Sequence, residues 1–471
     1  MRRYVMLSMA VFSTLLAIRV QSQTLANDTA QATHVNPFGI VEGFWFPEVT
    51  CDLRVGWERI IFNWEQHQPT GPEDWHTLNV DDRWLKSAAD CDREVVALLK
   101  HTPAWATDSE PGPGVPRGLY LPFDDPGNSW GRFVYRAVEY YASRGVTHYI
   151  IWNEPDIQEG VYGYEFAGDL EDYFRMLKVA YLAAKTANST ASIHIAGKTY
   201  WHDVNEGRRP YLERLLERIV SDPQASEHGF YFDVLSLHIY FRSETVYDII
   251  HEARRTMDQL GLTDKRIWIN EMNAAPTIDP AWPVERPVFD LDLLQQADYL
   301  IQGAALALAA GAERLAAYKL YDQQLAPGAE SFGLLSPPDA SPRPAYYAWQ
   351  TLSSYWNDVE SAERSNSSSV DAVLMEHQDG RQTLVAWARE AQDVTLHLEG
   401  DFVAIHTVDR EGKMAVVQPV DGVYIFTLPA ARCTETDGCF IGGKPLILNI
   451  PPGDWTATHT TGTNTITLDF D

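Results

Sequence analysis

Positive charge is in short supply in this sequence: 37 lysines and arginines stand against 65 aspartates and glutamates, a formal net charge of -28. Nucleic acid or an anionic lipid surface would repel such a chain, which leaves a neutral partner as the expectation. Long hydrophobic runs are also lacking. Only the opening MRRYVMLSMAVFSTLLAI is apolar at any length, and it falls short of the ~20 residues that a membrane span requires. A basic pair ahead of an apolar stretch, with small residues at Ser22 and Ala26, is the pattern of an export signal. Residues 1–26 are therefore expected to be a signal peptide and the protein to be secreted, extracellular or periplasmic, with a lipid-anchored or uncleaved form as the alternative. Cysteine is scarce: Cys51, Cys91, Cys433 and Cys439. None forms the C-x2-C spacing of a zinc site. In an exported chain they permit three pairings; if Cys433 and Cys439 staple one loop, Cys51 is left to Cys91. No G-x-G-x-x-G follows the first apolar run, against a dinucleotide-binding sheet. No metal, nucleotide or flavin signature is present, so no cofactor is expected.

What is present is alternation. The 471 residues fit one large barrel of about 250 residues or more plus a small second domain. Eight short runs rich in β-branched and aromatic residues are expected as strands, at 38–46, 57–64, 94–101, 147–154, 191–198, 232–240, 266–272 and 314–321. Helical-period segments lie between them, at 130–144, 170–187, 210–220, 245–260 and 291–310, with a last helix at 345–355. Eight such units favour a closed (β/α)8 TIM barrel, placed at 34–356, over an open sheet. After residue 357 short alternating stretches such as AVLMEH, QTLVAWA and PLILNI predict an antiparallel β-sandwich over 357–471, with the Thr-rich stretch 456–467 mobile.

In such a barrel the strand ends form the active face. Two acids stand out there: Glu154 in "IIWNEPD" and Glu271 in "IWINEMN", each after a Trp-containing run and beside an Asn. Strands four and seven lie on opposing parts of the wall, so the two carboxylates can face each other across a narrow mouth. About 5 to 5.5 Å apart, such a pair is what double displacement at a glycosidic bond needs, one as acid/base and one as nucleophile. Their surroundings should push the two apart in acidity, and Arg59 and Tyr240 are placed to keep Glu271 ionised.

These motifs resemble the clan A glycoside hydrolases: "IIWNEPD" and "IWINEMNA" for strands four and seven, "ERIIFNWEQHQP" for the second strand, "HTPAWA" for the third, "LHIY" for the sixth and "FGLLSPPDASPRPAYYAW" for the closing stretch. The nearest likeness is the β-xylosidase/α-L-iduronidase family. The resemblance implies Glu154 as acid/base, Glu271 as nucleophile, Asn153 as donor to the sugar 2-hydroxyl, and His238, Tyr240 and Arg59 as supports. His101, Trp105 and Lys319 are further candidates for substrate contact. The chain departs from that family at Asn270, Met272 and Lys319; Lys319 is either a signal of an acidic sugar or a structural lysine. Aromatic residues at the face (Trp45, Trp64, Trp105, Trp130, Trp201, Tyr162, Tyr164, Trp282) are candidates to stack on pyranose rings, about half of them to be core. The expectation is a secreted retaining β-glycosidase, exo-acting, such as a β-xylosidase. An endo-acting glycanase or transglycosylase on the same acids, or a silent carbohydrate-binding barrel, are the alternatives.

Overall fold

A computed structural model describes residues 36–434, 438–462 and 464–470. The expected signal peptide lies outside the described residues. Strands β1 (Phe38–Val41), β2 (Trp57–Asn63), β3 (Glu94–Lys100), β4 (His148–Ile151), β5 (Ser192–Ile195), β6 (Val234–Tyr240), β7 (Arg266–Asn273) and β8 (Arg314–Ala317) form a closed parallel barrel in chain order. Its interior is filled by Val41, Trp57, Val96, Leu98, Ile150, Val234, Trp268 and Ala316. The two indoles of Trp57 and Trp268 lie 5.2 Å apart. They fit because Gly39 offers no side chain: a Cβ there would fall 2.2 Å from the Trp57 ring. A second, larger apolar layer lies between the strands and the surrounding helices, which is why several strands read as apolar on both faces.

Helices Ser129–Ala142, Leu170–Ala187, Tyr211–Val220, Val246–Gln259, Leu293–Ala309 and Pro344–Tyr355 fall within two residues of their expected bounds. Capping explains several starts: Asp169 and Asp292 each accept from the third helical N–H and are bonded in return. Four helices were not expected, Pro47–Asp52, Trp64–His67, Asp82–Asp90 and Trp201–Asn205; the longest, Asp82–Asp90, buries only Leu85 and Ala88. Four strands, β1, β4, β5 and β8, run to only four residues where eight or nine were expected. β1 ends at Val41 because Gly43–Trp45 turns away as a 3-10 segment, with Phe44 stacked on Trp84 at 4.0 Å. β8 ends at Ala317, so the apolar residues after it are loop. Cys51 pairs with Cys91 and Cys433 with Cys439, links that persist in an oxidising compartment.

The remaining strands are β9 (Val359–Asn366), β10 (Val370–His377), β11 (Gln382–Ala388), β12 (Val394–Gly400), β13 (Ile405–Val408), β14 (Met414–Val417), β15 (Val423–Leu428), β16 (Leu446–Ile450), β17 (Trp455–Thr461) and β18 (Asn464–Thr467). They make a six-stranded sheet, β14-β13-β16-β11-β10-β9, and a four-stranded one, β15-β12-β17-β18, closed on their own core of residues such as Leu384, Leu396 and Leu448. The Thr-rich stretch expected to be mobile is instead strand: β17 pairs with β12 and β18. Alternating threonines suit a half-buried pleat. Val373, Val385, Trp387 and Ile447 of the larger sheet join the barrel's outer apolar layer. Among the described residues, no helix is long and apolar enough to cross a membrane.

Candidate active site

Two backbone irregularities aim the acids. After β4 the chain turns through left-handed residues at Trp152 (φ 70°) and Glu154 (φ 38°), conformations that L side chains adopt only when the surroundings enforce them. Trp152 N–H donates to Leu99 O at 2.9 Å and Glu154 N–H to Gly197 O at 3.2 Å, so the turn stays tied to the ends of the neighbouring strands. In β7 the pairing with β6 jumps from Leu237↔Ile269 to His238↔Glu271. Asn270 is thus a bulge residue, and the bulge re-aims the side chains from Glu271 onward.

Glu154 and Glu271 consequently converge. One carboxylate oxygen of each and a ring nitrogen of His238 all lie within 4.8 Å of one another. His238 Nδ1 is 2.6 Å from Glu154 Oε1 and 3.4 Å from Glu271 Oε2. Glu271 is the more enclosed, its side chain 7% exposed against 15% for Glu154. It forms an ion pair with Arg59 and accepts the Tyr240 hydroxyl proton. Burial alone would push the Glu271 carboxyl up; the Arg59 charge, His238 and the Tyr240 hydrogen bond outweigh it and hold the group below the ordinary carboxylate range. The Tyr240 phenol is pushed well above its usual value by burial and then by the Glu271 charge, which keeps it a donor.

Other expected residues lie around this centre without touching the acids. Asn153 donates to Glu165 Oε2 at 3.0 Å, and Lys100 holds the other Glu165 oxygen at 2.6 Å. His101, at φ 67°, meets Asn63 Nδ2 through Nδ1 at 2.9 Å; burial, then the Lys100 charge, lowers its imidazole to about 4. Trp105 donates its indole N–H to Gln68 O at 2.6 Å and stands edge-on to Trp64. Lys319 is paired with Glu42, Nζ to Oε2, at 2.5 Å. Of the aromatic candidates, Trp64 and Trp130 are wholly buried core residues, a correction to their place at the face. Trp45 and Tyr162 are exposed, and Trp105, Trp201, Tyr164 and Trp282 partly so.

Three residues were missed. Glu42 sits directly after β1, at a strand end hidden by the apolar residues 44–46. Glu165 lies in a loop and carries no sequence signal. Asp156 accepts from Thr199 N at 2.9 Å and Thr199 Oγ1 at 2.7 Å, fastening the loop that holds Glu154 to the end of β5.

No protein-family model and no curated protein matches the sequence. Solved structures match in fold. A family 39 glycoside hydrolase from the gut symbiont Bacteroides cellulosilyticus superposes with TM-score 0.65 at 15% identity, covering 88% of this chain and 81% of that one. A monomeric β-xylosidase from Caulobacter crescentus gives 0.55 at 12% identity, covering 89% and 96%. A family 30 endoxylanase from Clostridium papyrosolvens gives 0.56 at 11%, covering 89% and 97%. The architecture of the chain, a (β/α)8 barrel accompanied by a β-sandwich, is the one these glycoside hydrolases share.

Proposed function

We propose that the protein is a retaining glycoside hydrolase. The observation that carries this reading is the approach of Glu154 and Glu271 to within 4.8 Å, in the short class of carboxylate separations that leaves no room for an intervening water. The second support is the asymmetry of their surroundings: Arg59 and Tyr240 both serve Glu271, so it is the group kept bare for attack. Glu271 attacks the anomeric carbon as the bond to the leaving oxygen breaks, and Glu154 gives that oxygen its proton. Glu154 then takes a proton from water, which displaces Glu271 and frees the sugar. His238 spaces the two acids, and the second amide hydrogen of Asn153, the first being held by Glu165, serves the sugar 2-hydroxyl.

An exo-acting β-glycosidase secreted to an oxidising compartment is the preferred form. The long connections after β3, β4 and β7 (101–128, 152–169 and 274–292) suit a walled pocket, and the two disulfides suit export. Transglycosylation would use the same acids. A silent binding barrel would have no need of two acids with opposed surroundings. A 2-fluoro glycosyl donor should leave its sugar on the peptide containing Glu271; attachment elsewhere would overturn the assignment. Glu154→Ala should slow turnover by at least about a hundredfold and be partly rescued by azide on substrates with good leaving groups. Unchanged turnover would remove Glu154 from the role of proton donor.

A further inference from the structure

One charged pair at the mouth takes no part in double displacement. Glu42 follows β1 directly and Lys319 follows β8 by two residues. These are neighbouring strands, with Ile40 opposite Ala317. Glu42 N–H donates to Arg59 O at 3.0 Å and Leu320 N–H to Val41 O at 3.1 Å, so the pair is anchored beside the arginine that holds Glu271. Its two side chains are 15% and 16% exposed: reachable from the mouth, yet not loose on the surface. Among the described residues, this ion pair is the one charged contact that either side chain makes. One carboxylate oxygen and two ammonium hydrogens are thus left to bind something else.

Resting on the glycosidase reading, we infer that the Glu42–Lys319 pair sets the specificity of the reacting subsite, gripping two adjacent hydroxyls of a neutral sugar and refusing a uronic acid. A sugar hydroxyl both donates and accepts. One hydroxyl gives its hydrogen to Glu42, and its neighbour receives one from Lys319. The pair carries no net charge, so it attracts no anion. Of the cations beside the acids, Arg59 is ion-paired with Glu271, its other guanidinium nitrogens shut away from solvent, and Lys100 is paired with Glu165. A sugar carboxylate entering here would meet the acidic groups of Glu42, Glu154 and Glu271, while Lys319, Arg59 and Lys100 each already face a carboxylate of the protein. Lys319, read from sequence as a possible mark of an acidic sugar, thereby marks a neutral one.

The test uses activated 2-deoxy-2-fluoro glycosides of xylose, glucose, galactose and glucuronic acid, and the 3-deoxy and 4-deoxy analogues of the best donor. Labelling of the Glu271 peptide is timed by mass spectrometry in the unaltered protein, Glu42→Gln and Lys319→Met. A neutral donor should label and the glucuronyl donor should not. In each variant labelling by the neutral donor should slow by about ten- to a hundredfold, the worth of a hydrogen bond to a charged group. For the analogue lacking the gripped hydroxyl, variant and unaltered protein should label alike. The parent-to-deoxy ratio is taken within one preparation, so partial misfolding of a variant does not alter it. A glucuronyl donor faster than every neutral one, or a ratio unmoved by both substitutions, overturns the inference while leaving the glycosidase reading intact. Failure of all donors to label Glu271 overturns that reading, and this inference with it.

Discussion

At the scale of single residues, the site is a division of labour between two like acids. Tyr240 donates to Glu271 and Arg59 neutralises it, while Glu154 shares only the His238 nitrogen. The Tyr240 bond favours the charged carboxylate, so removing it must raise the pKa of Glu271 from its depressed position. Tyr240→Phe should therefore move the acidic limb of the kcat/KM profile to higher pH and cost about ten- to a hundredfold in rate; a limb that stays in place would deny the bond its role. Glu154, Glu271, His238 and Tyr240 drew notice as residues near strand ends, and Arg59, the third residue of β2, as an inward charge on its strand; the structure brings these five side chains together. Glu42 was equally a strand-end acid. It escaped because Phe44, Trp45 and Phe46 prolong the apolar run past the true end of β1, and their partner, the Trp84 side of an unexpected helix, is remote in sequence.

At the scale of elements, what the sequence hides is irregularity. Strict alternation from Trp268, an interior residue, would turn Glu271 outward toward the helices. The bulge at Asn270 reverses this, sending Met272 into the outer layer and leaving Glu271 at the mouth. Periodicity cannot reveal such an insertion; the motif's resemblance could. The segment just after β5 supplies a further constraint. A Cβ on Gly197 would lie 1.9 Å from His238 Nε2, so that glycine sets how deeply the imidazole sits between the acids. Gly197→Ala should displace the ring, cost about 1 to 3 kcal/mol of stability by overpacking and lower kcat/KM disproportionately. Denaturant melts and kinetics on the same preparation check this, and full activity in the variant would show that the ring's position is immaterial.

At the scale of the whole molecule, barrel and sandwich are joined by apolar contacts and by buried polar links. Asp298, on helix Leu293–Ala309, meets Arg410 of the sandwich at 3.1 Å, and Gln302 donates to Gly443 O at 2.8 Å. Burial pushes the Asp298 carboxyl up to about 6, the Arg410 charge only partly opposing it. Between the ordinary value of 3.8 and about 6 the folded chain keeps a proton that the unfolded chain has lost. Stability from this group accordingly falls as pH rises through that window, by on the order of 3 kcal/mol in all. Asp298→Asn should flatten the fall between pH 4 and 7 in denaturant unfolding, whatever its effect at a single pH; an unchanged slope would contradict the shift. Alternation of strand and helix made the barrel legible, and the close spacing of Cys433 and Cys439 made legible one of the chain's two disulfides. The threonine strand β17 was misjudged because a polar, β-branched stretch declares itself only through its partner strand β12. The central claim, that Glu154 and Glu271 act together in double displacement, is tested most directly by proton magnetic resonance of the first-formed product from a β-glycoside the protein cleaves. The account predicts that the β anomer appears first and then mutarotates; the α anomer appearing first would contradict it.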